Sequence, residues 1–262
     1  MPGKHGSGLS QAGFTRGDLS HAERVHLMET FGADGSIAEV LGVVGDGKEA
    51  TVYACRAGPD TGVERAIAKV YRAQKFRSFA NASAYTDGQV IGDARAARAI
   101  RGKTRQGRLM AHHLWVEREW QTLCRVFDAG AAVPEPYTHS RDAILMEYLG
   151  TDDGVAPLLR HARLSSVEAH RALDALLATV EVFLACDRVH GDLSAYNVLW
   201  DGERACVIDF PQAIDARTSP HAYDLLRRDV GNVCAWFARR GIDRDPSRFS
   251  HDLWQDYQRG QL

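Results

Sequence analysis

The chain has 262 residues, 45% of them hydrophobic and 25% charged, with a formal net charge of −2; this suffices for a real core and excludes a global electrostatic pull toward nucleic acid or an anionic membrane. Cys55, Cys124, Cys186, Cys206 and Cys234 form no CxxC pair, which argues against a zinc site or a disulfide framework and for buried thiols in a reducing compartment. The N-terminus lacks an apolar signal region and no uncharged apolar run is long enough to span a bilayer, so the expectation is a soluble, cytoplasmic protein with no membrane partner.

Residues 1–20 are rich in Gly and Ser and read as a flexible start. A short helix is expected over His21–Phe31, making residues 1–37 an N-terminal extension. Val40–Val44, Thr51–Cys55 and Ala66–Tyr71 are rich in β-branched and aromatic residues and separated by Gly, Pro and Asp; they predict three strands opening an antiparallel sheet. Residues 72–112 are polar and carry a basic run, Arg95, Arg98, Arg101, Lys103, Arg105 and Arg108. A helix is expected from about Leu114 to Phe127, with Val116, Trp120, Leu123 and Phe127 on one face and Gly130 as its stop. Ala143–Leu149 reads as a buried strand, and 150–154 as a linker between two lobes.

Beyond it, Ser165 and Glu168 form a capping-box pattern for a helix whose stripe is Leu173, Leu176, Leu177, Val180 and Leu184. Val198–Trp200 and Cys206–Ile208, joined by Asp201-Gly202, predict a hairpin, and Ala222–Arg240 a further helix. The fold class is therefore α+β, with an antiparallel-sheet N-terminal lobe over residues 38–149 and a reduced, mainly helical C-terminal lobe over 150–262.

The densest chemistry lies in His190-Gly191-Asp192-Leu193-Ser194-Ala195-Tyr196-Asn197, with Ile208-Asp209-Phe210 beyond the hairpin. Asp192 is an acid able to orient or deprotonate a hydroxyl. Asn197 and Asp209 are an amide and a carboxylate able to bind metal, the set that phosphoryl transfer from a nucleotide needs. The stretch has Gly191 where protein kinases commonly carry arginine, and His190 reads as a residue that shapes the loop. Gly45-Asp46-Gly47-Lys48-Glu49-Ala50-Thr51-Val52 follows the phosphate-loop pattern GxGxxGxV with Ala50 at the third glycine; by itself it reads rather as an ordinary glycine-rich hairpin turn. Lys69, within an apolar strand, either faces solvent or holds phosphate. Glu119 is the carboxylate that would pair with it, with Glu117 the rival. Each residue alone has a bland reading; their joint order is what is specific.

Several of these segments resemble the RIO kinases. The similarity is carried by 47–53 (GKEATVY), 115–120 (WVEREW), 133–136 (VPEP), 208–212 (IDFPQ), 219–222 (SPHA) and 225–229 (LLRRD), and runs from about residue 38 to 240. It is nearest the first subfamily, although Phe210-Pro211 leans to the second. The resemblance implies an atypical serine/threonine protein kinase or ATPase using ATP with Mg²⁺, or Mn²⁺ in its place. It implies catalytic roles for Asp192, Lys69 and Glu119 and metal ligation by Asn197 and Asp209. Nucleotide contacts are implied from Gly45, Gly47, Lys48, Glu49, Ala50, Val52, Lys69, Met146, Glu147 and Tyr148, the last three as the adenine hinge. Asp209 is also a candidate phosphate acceptor. The implied acceptor is a protein or the chain itself, with an RNA or ribosomal-subunit contact through segment 95–108 as a further expectation.

The chain after Asp209 is short and holds no APE motif, which points away from a kinase switched through a phosphorylated activation loop. Two rivals stay open. One is a small-molecule phosphotransferase of the aminoglycoside or choline type, which shares the His-Gly-Asp triplet. The other is a binding module or scaffold that uses the basic run.

Overall fold

The computed structural model describes residues 20–72, 102 and 104–262. Their contacts divide them into two compact units: one holds the described residues up to 117 together with 135–155, the other 118–134 and 156–262. The expected helix at the start is present as α1 (His21–Leu27), continued by a wider turn over Met28–Gly32. It begins at Ser20, whose hydroxyl accepts the Glu23 N–H while the Glu23 carboxylate accepts the Ser20 N–H, satisfying backbone donors that a helix start otherwise leaves open.

The first unit is built on a five-stranded antiparallel sheet: β1 (Ile37–Asp46), β2 (Ala50–Ala57), β3 (Arg65–Tyr71), β4 (Pro136–His139) and β5 (Ala143–Glu147), in the order β1-β2-β3-β5-β4. Side chains alternate across such a sheet. One face presents Val40, Tyr53, Cys55, Ala66, Ala68, Ala143 and Leu145 to Leu27 and Phe31, forming a continuous core. Leu27 and Phe31 are each 1% exposed; burying such side chains contributes about 1.5–3 kcal/mol each. The segment around α1 is thus part of the core of this unit. Tyr53 donates its hydroxyl to Glu23 at 2.7 Å, and Arg24 reaches the Val40 carbonyl at 2.8 Å.

The long helix α2 (Arg105–Asp128) passes from one unit to the other. It starts nine residues before the expected Leu114, because apolar periodicity marks only the part that packs. Its true start is a polar cap: Thr104 Oγ1 accepts the Gly107 N–H at 2.9 Å. Residues 150–154 form a minimal ladder, β6 (Gly150–Thr151) with β7 (Gly154–Val155), rather than a plain linker.

In the second unit α3 (Ser166–Ala185) carries the expected capping box and buries Leu173, Leu176, Leu177, Val180 and Leu184. It packs on β8 (Arg188–Val189) and on α4 (Ala222–Ala238). The hairpin forms as β9 (Val198–Trp200) with β10 (Ala205–Val207), and β11 (Ile214–Asp215) pairs with β8. Sequence reading did not anticipate α5 (Pro246–Gln258), although its signal is plain: the Asp245 carboxylate accepts the Ser247 and Arg248 N–H groups, and proline follows at the first position. All five cysteines are free and four are buried. Among the described residues no helix is long and apolar enough to cross a membrane.

Candidate active site

In the first unit the register sets Val52, Lys69 and Ile144 side by side across β2, β3 and β5, with Ala54, Ile67 and Met146 as the next row. Val52, Lys69 and Met146 therefore share the face opposite the one covered by α1. Lys69 Nζ stands 5.1 Å from the centre of the Tyr71 ring, and Tyr71 meets Trp115 edge-on at 4.9 Å. The Glu147 N–H donates to the Glu135 carbonyl at 2.8 Å, and the Glu147 carboxylate accepts the Glu135 N–H at 3.1 Å. The Tyr148 ring lies under the Arg65 guanidinium, 5.5 Å away, and burial pushes its hydroxyl above the usual tyrosine range.

The loop between β1 and β2 turns tightly, with the Gly47 N–H donating to the Ala50 carbonyl at 2.9 Å. Gly47 and Lys48 are exposed, whereas Ala50 is buried as the first residue of β2. Its backbone lies outside the left-handed region, so no glycine is required at that third position. Arg72, which the sequence reading passed over, bonds this loop from the end of β3.

In the second unit the residues from His190 to Asp209 form one hydrogen-bonded construction. The Asn197 amide donates to the Asp192 carbonyl at 2.8 Å and to its carboxylate at 3.2 Å. That commits the nitrogen end of the amide to Asp192 and turns its oxygen away. The Ile208 N–H donates to the Asn197 carbonyl at 2.9 Å, so the hairpin brings Asn197 next to the strand end that carries Asp209. Asp209 has φ 73°; it and Asp187 (φ 58°) are the non-glycine residues with positive φ among those described. A non-glycine residue there stores strain that functional sites commonly retain.

His190, 4% exposed, shapes this loop as expected. Its Nδ1 accepts the Asp192 N–H at 3.3 Å, which leaves Nε2 to donate to the Ile208 carbonyl at 3.2 Å. Phe210 stacks on Phe183 and meets the His190 ring, with centroids 5.8 and 5.6 Å apart.

Gly191 has a steric reason to be glycine. Its φ is 80°, and a Cβ built on it would stand 2.4 Å from the Gln212 carbonyl oxygen. The space that a side chain at this position would enter is filled by the backbone of the segment after Asp209.

A second group of residues, to which the sequence reading gave no role in the site, holds the loop from α4. Asp229, 1% exposed, accepts the Gly191 N–H at 2.7 Å and the Leu193 N–H at 3.1 Å. Burial pushes its carboxyl up to about 7 in spite of those two donors. Arg228 donates to the Gly191 carbonyl, and Asn232 to the Leu193 carbonyl at 3.1 Å. The available signal was a buried-face aspartate within the amphipathic pattern of this helix.

Of the two candidate glutamates, Glu117 is 42% exposed and pairs with His139 at 2.8 Å. Glu119 is 4% exposed on the part of α2 that belongs to the second unit, an uncommon place for a carboxylate without a role. In the basic run, Arg105 and Arg108 are exposed on the first turn of α2, while Arg95, Arg98, Arg101 and Lys103 lie outside the described residues.

A family model described as the RIO domain matches residues 51–249. The chain belongs to the RIO domain family. It is 34% identical to the RIO-type serine/threonine-protein kinase Rio1 of Haloferax volcanii, over 81% of this chain and 68% of that protein. It is 31% identical to the human serine/threonine-protein kinase RIO1, over 79% of this chain and 35% of that one, and 29% identical to the Caenorhabditis elegans RIO1, over 79% and 39%. The chain thus spans well under half the length of these two eukaryotic relatives. In three dimensions it is similar to the Rio2 kinase of Chaetomium thermophilum, solved as an ADP/Mg²⁺-phosphoaspartate complex. That match has a TM-score of 0.60 at 21% identity and covers 88% of this chain and 64% of that one. The fold is therefore the α+β fold of the RIO kinases.

Proposed function

We propose that the chain is an ATP-dependent serine/threonine protein kinase or ATPase of RIO type. The observation that carries this reading is the hydrogen-bonded loop of Asp192 and Asn197, with the Ile208 N–H bond to Asn197 setting the strained Asp209 at the adjoining strand end. Asn197 and Asp209 offer an amide oxygen and a carboxylate, too few donors to enclose an ion alone but suited to Mg²⁺ or Mn²⁺ shared with phosphate oxygens. A bound ion of this kind supplies charge neutralisation on the phosphates. Asp192 orients the acceptor hydroxyl and takes its proton as the new oxygen–phosphorus bond forms and the bond to the departing ADP breaks. Lys69, oriented by Glu119, holds the phosphates. Gly45, Gly47, Lys48, Glu49, Ala50 and Val52 cover them, and Met146, Glu147 and Tyr148 form the adenine side.

The acceptor in this reading is a protein hydroxyl, on another molecule or on the chain itself. The phosphoaspartate in the Rio2 relative supports a second acceptor, the Asp209 carboxylate, giving an acyl phosphate that water then cleaves. Incubation with γ-labelled ATP and Mg²⁺, followed by acid and hydroxylamine treatment, separates these routes, because hydroxylamine cleaves the acyl phosphate and spares phosphoserine. Asp192→Ala is expected to lose transfer while keeping ATP binding, and Asp209→Ala to weaken Mg²⁺-dependent ATP binding. Near-normal turnover by Asp192→Ala would refute these roles. Strong transfer to an aminoglycoside or to choline without protein-linked label would favour the small-molecule rival.

A further inference from the structure

We infer that Arg72 is a positioning residue for the phosphate loop. The inference rests on the proposed nucleotide chemistry. Arg72 follows β3 directly and approaches the loop with both its backbone and its side chain. Its N–H donates to the Glu49 carbonyl at 2.8 Å. Its guanidinium donates to the Gly47 carbonyl at 3.0 Å, to the Thr51 hydroxyl at 2.5 Å and to the Asp46 carboxylate. Thr51 in turn donates to Asp46 at 2.9 Å. One residue thus engages the loop at Asp46, Gly47, Glu49 and Thr51.

Planar trans peptides give these contacts a consequence for recognition. In such a unit the C=O and the following N–H point in opposite directions. Holding the Gly47 carbonyl toward Arg72 turns the Lys48 N–H away from it. Holding the Glu49 carbonyl toward the Arg72 backbone turns the Ala50 N–H away from β3. Arg72 therefore aims two donors of a loop whose exposed glycine would otherwise let the peptide planes rotate. Backbone N–H groups set in advance toward one side are the means by which such loops take phosphate oxygens. A fork of several donors suits this task better than the single ammonium of lysine. The Asp46 carboxylate, accepting from the same fork, holds the guanidinium on the loop.

The experiment measures binding of ATP, ADP and adenosine, the nucleotides with Mg²⁺, to the full chain carrying Arg72→Ala or Arg72→Lys. Aimed backbone donors serve both nucleotides and ignore adenosine. Arg72→Ala is therefore expected to weaken ATP and ADP alike by about tenfold, the loss of a few charge-assisted bonds at a partly exposed site, and to leave adenosine unchanged. In turnover it is expected to raise KM for ATP with little change in kcat. Arg72→Lys is expected to recover part of the loss, and it decides the matter if Arg72→Ala does not fold. Unchanged nucleotide affinity in both variants overturns the inference. So does equal weakening of adenosine, which marks a general loss of structure, or weakening of ATP alone, which marks a direct contact with the terminal phosphate. If the unaltered chain binds neither nucleotide, the proposed function fails first and takes this inference with it.

Discussion

Replacing Gly191 by alanine tests whether the loop that carries Asp192 and Asn197 is set by backbone sterics. A side chain at φ 80° is strained, and its Cβ would stand 2.4 Å from the Gln212 carbonyl oxygen. The left-handed backbone costs about 1–2 kcal/mol. Relieving an overpacked contact against backbone costs about 1–3 kcal/mol more. The sum, about 2–5 kcal/mol, is a large share of the roughly 5–15 kcal/mol that holds a domain together. Urea unfolding followed by fluorescence of the five tryptophans is expected to show a midpoint lowered by about 1–2.5 M for this loss at an m-value of about 2 kcal/mol/M. Turnover is expected to fall more steeply than stability at temperatures where the variant is still folded, since a shift near 1 Å at a catalytic group costs about 100-fold. Gly191→Arg, which introduces the residue that protein kinases commonly carry at this position, is expected to be worse than alanine. A Gly191→Ala variant with an unaltered midpoint and normal turnover would show that the Gln212 carbonyl does not constrain this position.

Asp229→Asn places an amide where one carboxylate accepts two N–H groups, so one bond to the loop is lost; kcat is expected to drop at least about tenfold with a smaller change in stability. The same carboxyl predicts a pH dependence. With a folded pKa of about 7 against about 4 in an unfolded chain, the folded state keeps a proton that the unfolded state has released between these values. Its contribution to stability therefore falls as pH rises from about 4 to about 7 and is level above that range. Melting temperatures across this range are expected to show a shallower decline in Asp229→Asn, and parallel profiles would refute the assignment. Phe31→Ala, which empties the packing behind the sheet, is expected to cost about 3–5 kcal/mol in denaturant unfolding; a loss under about 1 kcal/mol would mean that the turn after α1 is not part of this core.

Much of the site was legible because it is local. The hairpin, the helix behind it and the Asp192–Asn197 loop all follow from short-range patterns of turn residues, capping pairs and apolar spacing. The loop's anchors were not legible in this way. Asp229 and Asn232 lie on a helix whose apolar stripe dominates its reading, and only the folded chain shows that their side chains meet Gly191 and Leu193. Arg72 was hidden for the opposite reason, since it looks like one more polar residue at the start of a polar stretch. The start of α2 was missed because a cap at Thr104 opens nine residues of helix before any apolar period begins. Gly191 could be seen as unusual from sequence, but its cause, a carbonyl 21 residues further on, could not.

Asp187, three residues before His190, has a consequence for how the chain folds. Its carboxylate gathers Arg125 from the end of α2 at 2.9 Å, the Tyr257 hydroxyl from the last turn of α5 at 2.9 Å, and Arg217 at 3.5 Å. These partners lie 62 and 70 residues away for Arg125 and Tyr257. Contacts of such separation form only after long loops have closed, which slows folding and delays the segment they fix. The strand that leads into the loop of Asp192 and Asn197 is thus held by side chains brought from far along the chain. A chain cut before Tyr257 keeps Asp192, Asn197 and Asp209 but loses the hydroxyl that ties α5 to the Asp187 carboxylate.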